Sequence, residues 1–479
     1  MEYEVVIGLE VHAQLTTETK IFCGCSTNYN TPPNTNVCPI CLGHPGVLPS
    51  LNQRVVDFAI MAAIALKATI NRVSYFARKN YFYPDLPKGY QITQYEVPFA
   101  VDGAIEIETE TGTKQIRIRE IHIEEDAGKL FHPESGAGLY TFVDMNRCGV
   151  PLLEIVSYPD IRSPKEASNY LKRLRQTLRY LGICAGNMEE GNFRCDANIS
   201  IKPLGSEKFG TKRELKNLNS FRFLENALSW EIEYQKNVLG SGGKILQETL
   251  TWDEKEGRAI PIRSKETSSD YRYFPEPDLP PLHIEEERIE KLKWLIPELP
   301  WERETRLIRQ YGIREYDAEL ICSERGIADY FEKCASMFSD YRTLANWITT
   351  EIFRELDRRN LKIESFPVKP EDLVELIKRL KAGELNLSTA RKAFTIMIEE
   401  NKTAAQVISE YDLVQISDTR ELESIVDAVL SECAKELERY KAGKTSLFDF
   451  FLGQVMRKTK GKASPHLARE LLKKRLEEI

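Results

Sequence analysis

The sequence contains no long apolar run. Its longest, Phe58 to Leu66, is half the roughly 18 residues that a membrane-spanning helix needs. The opening MEYEVVIGLEVH lacks the charged-then-apolar pattern of a secretory leader, so a cytoplasmic protein without membrane contact is expected. Excess positive charge is missing too: 66 Lys and Arg stand against 73 Asp and Glu, a net of −7, which leaves no global field to attract nucleic acid. Any phosphate-binding surface must therefore be local. No nucleotide loop is complete. KAGKTS at 441–446 resembles the end of a phosphate loop, but Glu438 stands where its first glycine belongs and no strand pattern precedes it. No GxGxxG follows a strand pattern, and there is no GxSxG or Ser/Lys amidase run, so neither dinucleotide binding nor a hydrolase nucleophile is supported. Internal repeats and low-complexity stretches are absent. A disulfide framework is also absent, because four of the ten cysteines cluster and the other six are scattered singly.

What is present suits a large globular chain. At about 150 residues per domain, 479 residues allow three domains, and 42% apolar residues can build ordinary cores. Residues 1–292 read as one α+β domain with alternating segments such as VVIGLEVHAQL, KQIRIREIHIEE and NFRCDANISIK. Helical stretches interrupt it near 54–68, after a Ser163 cap followed by Pro164, and up to Gly240, and these should cover faces of the sheet. The Pro-rich FPEPDLPPLHI at 274–284 is expected to be a linker. Helical periodicity then takes over, giving an all-α domain at 293–404 and an all-α tail at 405–479, with Ser417 as an expected N-cap.

Cys23, Cys25, Cys38 and Cys41 form two close pairs joined by a turn-forming loop, the arrangement of a closed structural zinc site. Unligated reduced thiols and an iron–sulfur site are the alternatives.

A second constellation is acidic. In the first strand Val5, Ile7, Leu9 and Val11 alternate with Val6, Gly8, Glu10 and His12, so Glu10 and His12 share the face opposite the main apolar row. They could ligate a metal or simply line a solvated strand. QIRIREIHIEEDAGK is apolar at Ile116 and Ile118, slips phase, and resumes at Ile121 and Ile123, a bulge-like pattern ending in Glu124, Glu125 and Asp126. Glu189 and Glu190 precede a strand on which Arg194, Asp196 and Asn198 share one face, and Glu154 and Glu214 are further candidates. Strand-borne carboxylates with Lys79, Arg78 and Arg147 are the ingredients for holding Mg²⁺ and phosphates for in-line transfer, and surface salt bridges are the alternative. Finally, from Gln454 onward eight Lys or Arg stand against three Glu. Arg457, Lys458, Lys460 and Lys462 surround small residues where a loop could meet an RNA backbone, unless this is an ordinary solvated helix end.

These segments together resemble the GatB family, the transamidating chains of bacterial-type aspartyl/glutamyl-tRNA amidotransferases. The resemblance runs through VIGLEVHAQL, FARKNYFYPDLPKGYQITQY, HIEEDAGK, VDMNRCGVPLLEIVSYPDIRSPKEA, MEEGNFRCDANIS, FGTKRELKNLNS, DYRYFPEPDLPPL and GQVMRKTKGKASP, essentially the whole chain. It implies a cradle-like catalytic domain whose antiparallel sheet is similar to that of glutamine synthetase, followed by a helical domain and a small tail domain that contacts tRNA. It implies ATP-dependent phosphorylation of the side-chain carboxylate of Glu-tRNA(Gln) or Asp-tRNA(Asn), then attack of ammonia on the acyl phosphate. It points to Glu10, His12, Glu125, Glu154, Asp196 and Glu214 as magnesium-site residues, with Glu124 and Glu190 as further ligands and Lys79 with Glu125 as a polar gate for ammonia. Ammonia would come from a glutaminase (amidase) partner, GatA, braced by the small GatC chain in a heterotrimer. Zinc cysteines occur in only part of the family. The rival reading is a non-catalytic, zinc-stabilised tRNA-binding scaffold, which leaves the clustered acids unexplained.

Overall fold

The computed structural model describes residues 2–28, 30–131, 140–264, 270–414, 419–459 and 463–478. Ser417, Lys460 and Lys462 lie outside them. The chain divides into two compact units, Met1–Pro300 and Trp301–Ile479.

Alternation of apolar and polar residues builds the centre of the first unit. Its main sheet uses β1 (Tyr3–Gln14), β2 (Thr69–Ile70), β5 (Ala100–Thr109), β6 (Gly112–Glu125), β7 (Pro151–Ser157), β8 (Phe193–Pro203), β9 (Arg213–Lys216), β10 (Glu248–Asp253) and β11 (Arg258–Ser264). The nine strands lie in the order β11-β10-β9-β8-β1-β7-β6-β5-β2, and every neighbouring pair is antiparallel except β9 with β10. A smaller sheet of β3 (Phe76–Asn80) and β4 (Tyr90–Gln94), edged by β12 (Phe274–Pro275), lies against the C-terminal end of β6. There Ile123 N–H donates to Gln94 Oε1 at 2.8 Å, and Gln91 Nε2 to the Glu125 carbonyl at 2.8 Å.

Ile7, Leu9, Val11 and Ala13 of β1, Leu153 and Ile155 of β7, and Cys195, Ala197 and Ile199 of β8 are all buried on one face. Each fully buried aliphatic side chain contributes about 1.5–3 kcal/mol, so this row fixes the register of the central strands. Helices α2 (Pro164–Tyr180) and α3 (Phe221–Gly240) pack on each other and on sheet strands, as the sequence suggests. Ser163 Oγ caps α2 by accepting from Glu166 N–H at 3.1 Å, and Ser220 does the same for α3. Helix α1 (Gln53–Ala65) is capped by Asn52. The expected bulge is present: between Val156 and Ser157 the β7–β6 register jumps from Glu120 to Ile118, leaving Arg119 unpaired with β7.

The Pro-rich stretch at 274–284 is not a free linker. Phe274 and Pro275 pair with Arg78 and Ala77, and Leu282 and His283 pair with Ser74 and Val73. Buried Glu276 accepts from both Arg78 Nε and Nη2 at 2.8 Å. Proline tolerates these places because they are sheet edges, where a missing N–H costs no ladder bond. The second unit is helical and carries two separate apolar cores, one running from Leu307 to Leu413 and the other from Leu422 to Leu472.

Candidate active site and metal centre

The face of the main sheet opposite the aliphatic row is polar across five adjacent strands. Opposed residues of antiparallel strands project to the same side. His12 therefore shares its side with Glu154 on β7 and Arg194 on β8, Glu10 shares it with Asp196, and Asn198 with Glu214 on β9. On β6, His122 opposes Glu154 and Glu124 opposes Leu152, which puts Glu124 on this face as well.

Three residues of β1 and β7 converge most closely. One ligand atom each from Glu10, His12 and Glu154 lies within 4.8 Å of the others. His12 Nε2 is 3.7 Å from Glu10 Oε1 and 3.5 Å from Glu124 Oε1. Burial, then the nearby charges of Glu124 and Glu10, push the Glu154 carboxyl well above its usual range, and burial raises Glu124 despite Lys79 beside it. Burial followed by the charge of Arg194 pulls His12 down to about 3, outweighing its carboxylate neighbours, so its imidazole stays neutral with a lone pair to offer. Three crowded carboxylates and a neutral imidazole on rigid strands suit a divalent cation with oxygen preference.

The other expected site residues fall into separate places. Asp196 and Glu214 stand on the same polar face, bridged by Lys216, whose Nζ is 2.8 Å from Asp196 Oδ2 and 3.0 Å from Glu214 Oε1. Lys79 reaches the group from β3, beside the Tyr271 ring at 5.0 Å. Burial pulls its ammonium down, but Glu124, Tyr273 and Glu154 more than offset this and its pKa is raised. Glu125 projects to the other side of β6, where Lys88 pairs with it and Ile92 N–H donates to its Oε1 at 2.8 Å. Lys79 and Glu125 are therefore not paired with each other. Glu190 lies in the turn before β8, accepting from Asn192 Nδ2 at 3.1 Å. Arg78 is engaged by Glu276, and Arg147 donates to the carbonyls of Ala127 and Gly128.

The four cysteines also converge, each offering a sulfur within 4.8 Å of the others. Cys38 and Cys41 sulfurs are 3.9 Å apart, near the roughly 3.8 Å separation that Zn–S bonds of about 2.3 Å impose in a tetrahedron. Cys38 N–H and the fully buried Lys20 Nζ point at Cys41 Sγ from 3.2 and 3.6 Å, a donor set suited to a thiolate. The residues fit a structural zinc ion, which would cross-link the two turns.

Comparison with known proteins accounts for this arrangement. Residues 5–290 match the family described as GatB/GatE catalytic domain, and residues 329–476 match the GatB domain. The chain belongs to the GatB family of tRNA-dependent amidotransferases, which are ligases. The GatB-type chain of the aspartyl/glutamyl-tRNA(Asn/Gln) amidotransferase of Thermodesulfovibrio yellowstonii is 51% identical over 478 residues, covering 100% of both chains. Its counterpart from Myxococcus xanthus is 51% identical over 475 residues and 99% of both chains, and that from Chlorobaculum tepidum 48% over 477 residues and 100% of both.

Within this GatB-family site, sequence reasoning passes over Lys216 and the role of Asp126. Lys216 is readable, because two residues after Glu214 on a strand must share its face. Asp126 follows the end of β6, where alternation stops, and no local signal marks its partners. No helix among the described residues is long and apolar enough to cross a membrane.

Proposed function

We propose that the polar sheet face is the kinase and transamidase centre of an amidotransferase that converts Glu-tRNA(Gln), Asp-tRNA(Asn) or both to the amide in the cytoplasm. The observation that carries this reading is the convergence of Glu10, His12, Glu124 and Glu154 from three adjacent strands, with Asp196 and Glu214 beside them. RNA alone gives no reason to gather carboxylates, whereas ATP-dependent activation of a carboxylate does.

Carboxylate oxygen is a poor leaving group, so forming an acyl phosphate divides the amidation into two feasible steps. Magnesium held by Glu10, His12 and Glu154, with Glu124 alongside, would neutralise charge on the transferred phosphoryl group. Neutral His12 keeps a nitrogen lone pair directed into the site, and the strands hold its neighbours fixed. Lys79 brings a positive charge to the same place from β3, suited to the anion that leaves. Asp196 and Glu214 hold Lys216 on this face, where its ammonium would meet phosphate oxygens of ATP. Such a face resembles the sheet of glutamine synthetase in use.

We also read the chain as three working parts, 1–292 for chemistry, 293–404 as a helical domain and 405–479 for tRNA contact, working with a GatA-type glutaminase and a small GatC-type chain. Support for the tail is the positive charge that follows Gln454, where exposed Arg457 stands in the last turn of a helix spanning Leu447–Lys458. Lys458 there pairs with Glu432.

The deciding assay measures amide formation on misacylated tRNA by the assembled complex with ATP, Mg²⁺ and either glutamine or ammonium. Ammonium should support amidation when the partner's glutaminase is disabled, and Glu10→Gln should abolish it. Amidation that survives Glu10→Gln and Asp196→Asn would return the scaffold reading.

A further inference from the structure

Arg194 is a cation in this site that its own fold leaves partly unused. It stands on β8 directly opposite His12, on the polar face. Its Nη2 donates to Asp126 Oδ1 at 2.9 Å, while its Nε is shut off from solvent and has no hydrogen-bond partner among the described residues. Several other guanidinium groups of this unit are held through two of their nitrogens: Arg213, whose Nε is likewise without a partner among the described residues, is gripped through Nη1 by Glu231 and through Nη2 by Glu248. Arg78 grips Glu276 through both Nε and Nη2, and Arg117 grips Asp160 in the same way at 2.9 and 2.8 Å. Arg194 is held by one end only.

The holder is itself immobilised. Asp126 is buried, and its Oδ2 accepts from Gln14 Nε2 at 2.7 Å and lies 3.5 Å from Arg147 Nε. Arg147 is pinned in turn to the Ala127 and Gly128 carbonyls at 2.9 and 2.6 Å. An unpaired buried donor is costly, and a fixed guanidinium fork matches the planar oxygens of a carboxylate or phosphoryl group.

We propose that Arg194 is a catalytic residue that binds an oxyanion of the reaction, and that Asp126 is the residue that positions it. The oxyanion is either the side-chain carboxylate of the tRNA-bound amino acid or the phosphoryl group of ATP. The inference rests on the function proposed above.

The test uses the assembled complex carrying Arg194→Ala, Arg194→Lys or Asp126→Asn, with amide formation followed while ATP and aminoacyl-tRNA are varied in turn. Arg194→Ala should lower kcat/KM about 100-fold, a loss typical of a removed charged donor. Added guanidinium ion at millimolar concentration should restore part of that activity, and urea should not. Arg194→Lys should recover less than the guanidinium ion does, because an ammonium cannot form the fork. Asp126→Asn should raise the same KM as Arg194→Ala. A KM rise confined to aminoacyl-tRNA assigns the carboxylate, and one confined to ATP assigns the phosphoryl group. Wild-type kinetics in Arg194→Ala, or a loss that guanidinium leaves unchanged with neither KM moved, overturns the proposal. If the wild-type complex itself makes no amide, the functional reading fails instead.

Discussion

Replacing Glu154 with glutamine should stabilise the metal-free protein while destroying its activity. Glu154 shares a 4.8 Å neighbourhood with Glu10 and His12, and Glu124 adds a further negative charge. Two unit charges 4.8 Å apart repel by about 3 kcal/mol at an effective dielectric of about 20, and part of that is relieved by Lys79 and by proton uptake. Removing one charge without changing shape should therefore add about 1–2 kcal/mol, or about 2–6 °C in Tm, in magnesium-free buffer prepared without chelator so that zinc is undisturbed. The same substitution removes a proposed metal ligand, so the Tm gain on adding Mg²⁺ should shrink and ATP-dependent amidation should fall at least about 100-fold. Differential scanning fluorimetry with and without Mg²⁺, alongside the amidation assay, reads all three quantities. A lower Tm without Mg²⁺, or an undiminished Mg²⁺ response, would show that protein cations already balance these acids and would refute the metal-site reasoning.

Further outcomes are expected. Because the folded protein holds His12 near 3 while an unfolded histidine titrates near 6.5, the unfolded state takes up the proton first as pH falls. Stability should then drop between about pH 6.5 and 3 by up to about 1.4 kcal/mol per unit, and His12→Asn should lose that part of the slope in acid denaturation curves. Cys41→Ser should reduce zinc from one ion per chain to near none by elemental analysis and lower Tm, and Lys20→Met should weaken zinc retention against a competing chelator. Arg457→Gln should raise the KM for tRNA, most at low salt with the gap to wild type narrowing as salt rises, and ATP hydrolysis should be retained. Glu125→Gln strips the partner from the buried Lys88 side chain and should lower Tm while leaving the Mg²⁺-induced Tm gain intact, in contrast to Glu154→Gln.

Particular residues show where reading the sequence succeeds. Period-two alternation is local and strong in β1, so it places Glu10 and His12 on the right face without any structure. The same rule, applied after the phase slip, assigns Glu120, His122 and Glu124 to the face opposite Ile121 and Ile123, and so separates Glu124 from Glu125. Family resemblance points to Glu125 ahead of Glu124 as a metal-site residue, whereas on β6 it is Glu124 that shares the face of Glu154. The Pro-rich stretch misleads for a related reason: proline marks a break in ladder hydrogen bonding, and a sheet edge provides that as well as a linker does.

By itself the sequence determined which residues lie on each strand face, which four cysteines can meet, where helices begin, and to which family the chain belongs. These follow from neighbours a few positions apart or from long shared motifs. Only the tertiary structure decided which faces meet. Glu10 and Glu154 are 144 positions apart, and Arg194 and Asp126 are 68 apart. Their meeting depends on strand order and register, which burial of the opposite, aliphatic face sets across the whole sheet and no local pattern encodes.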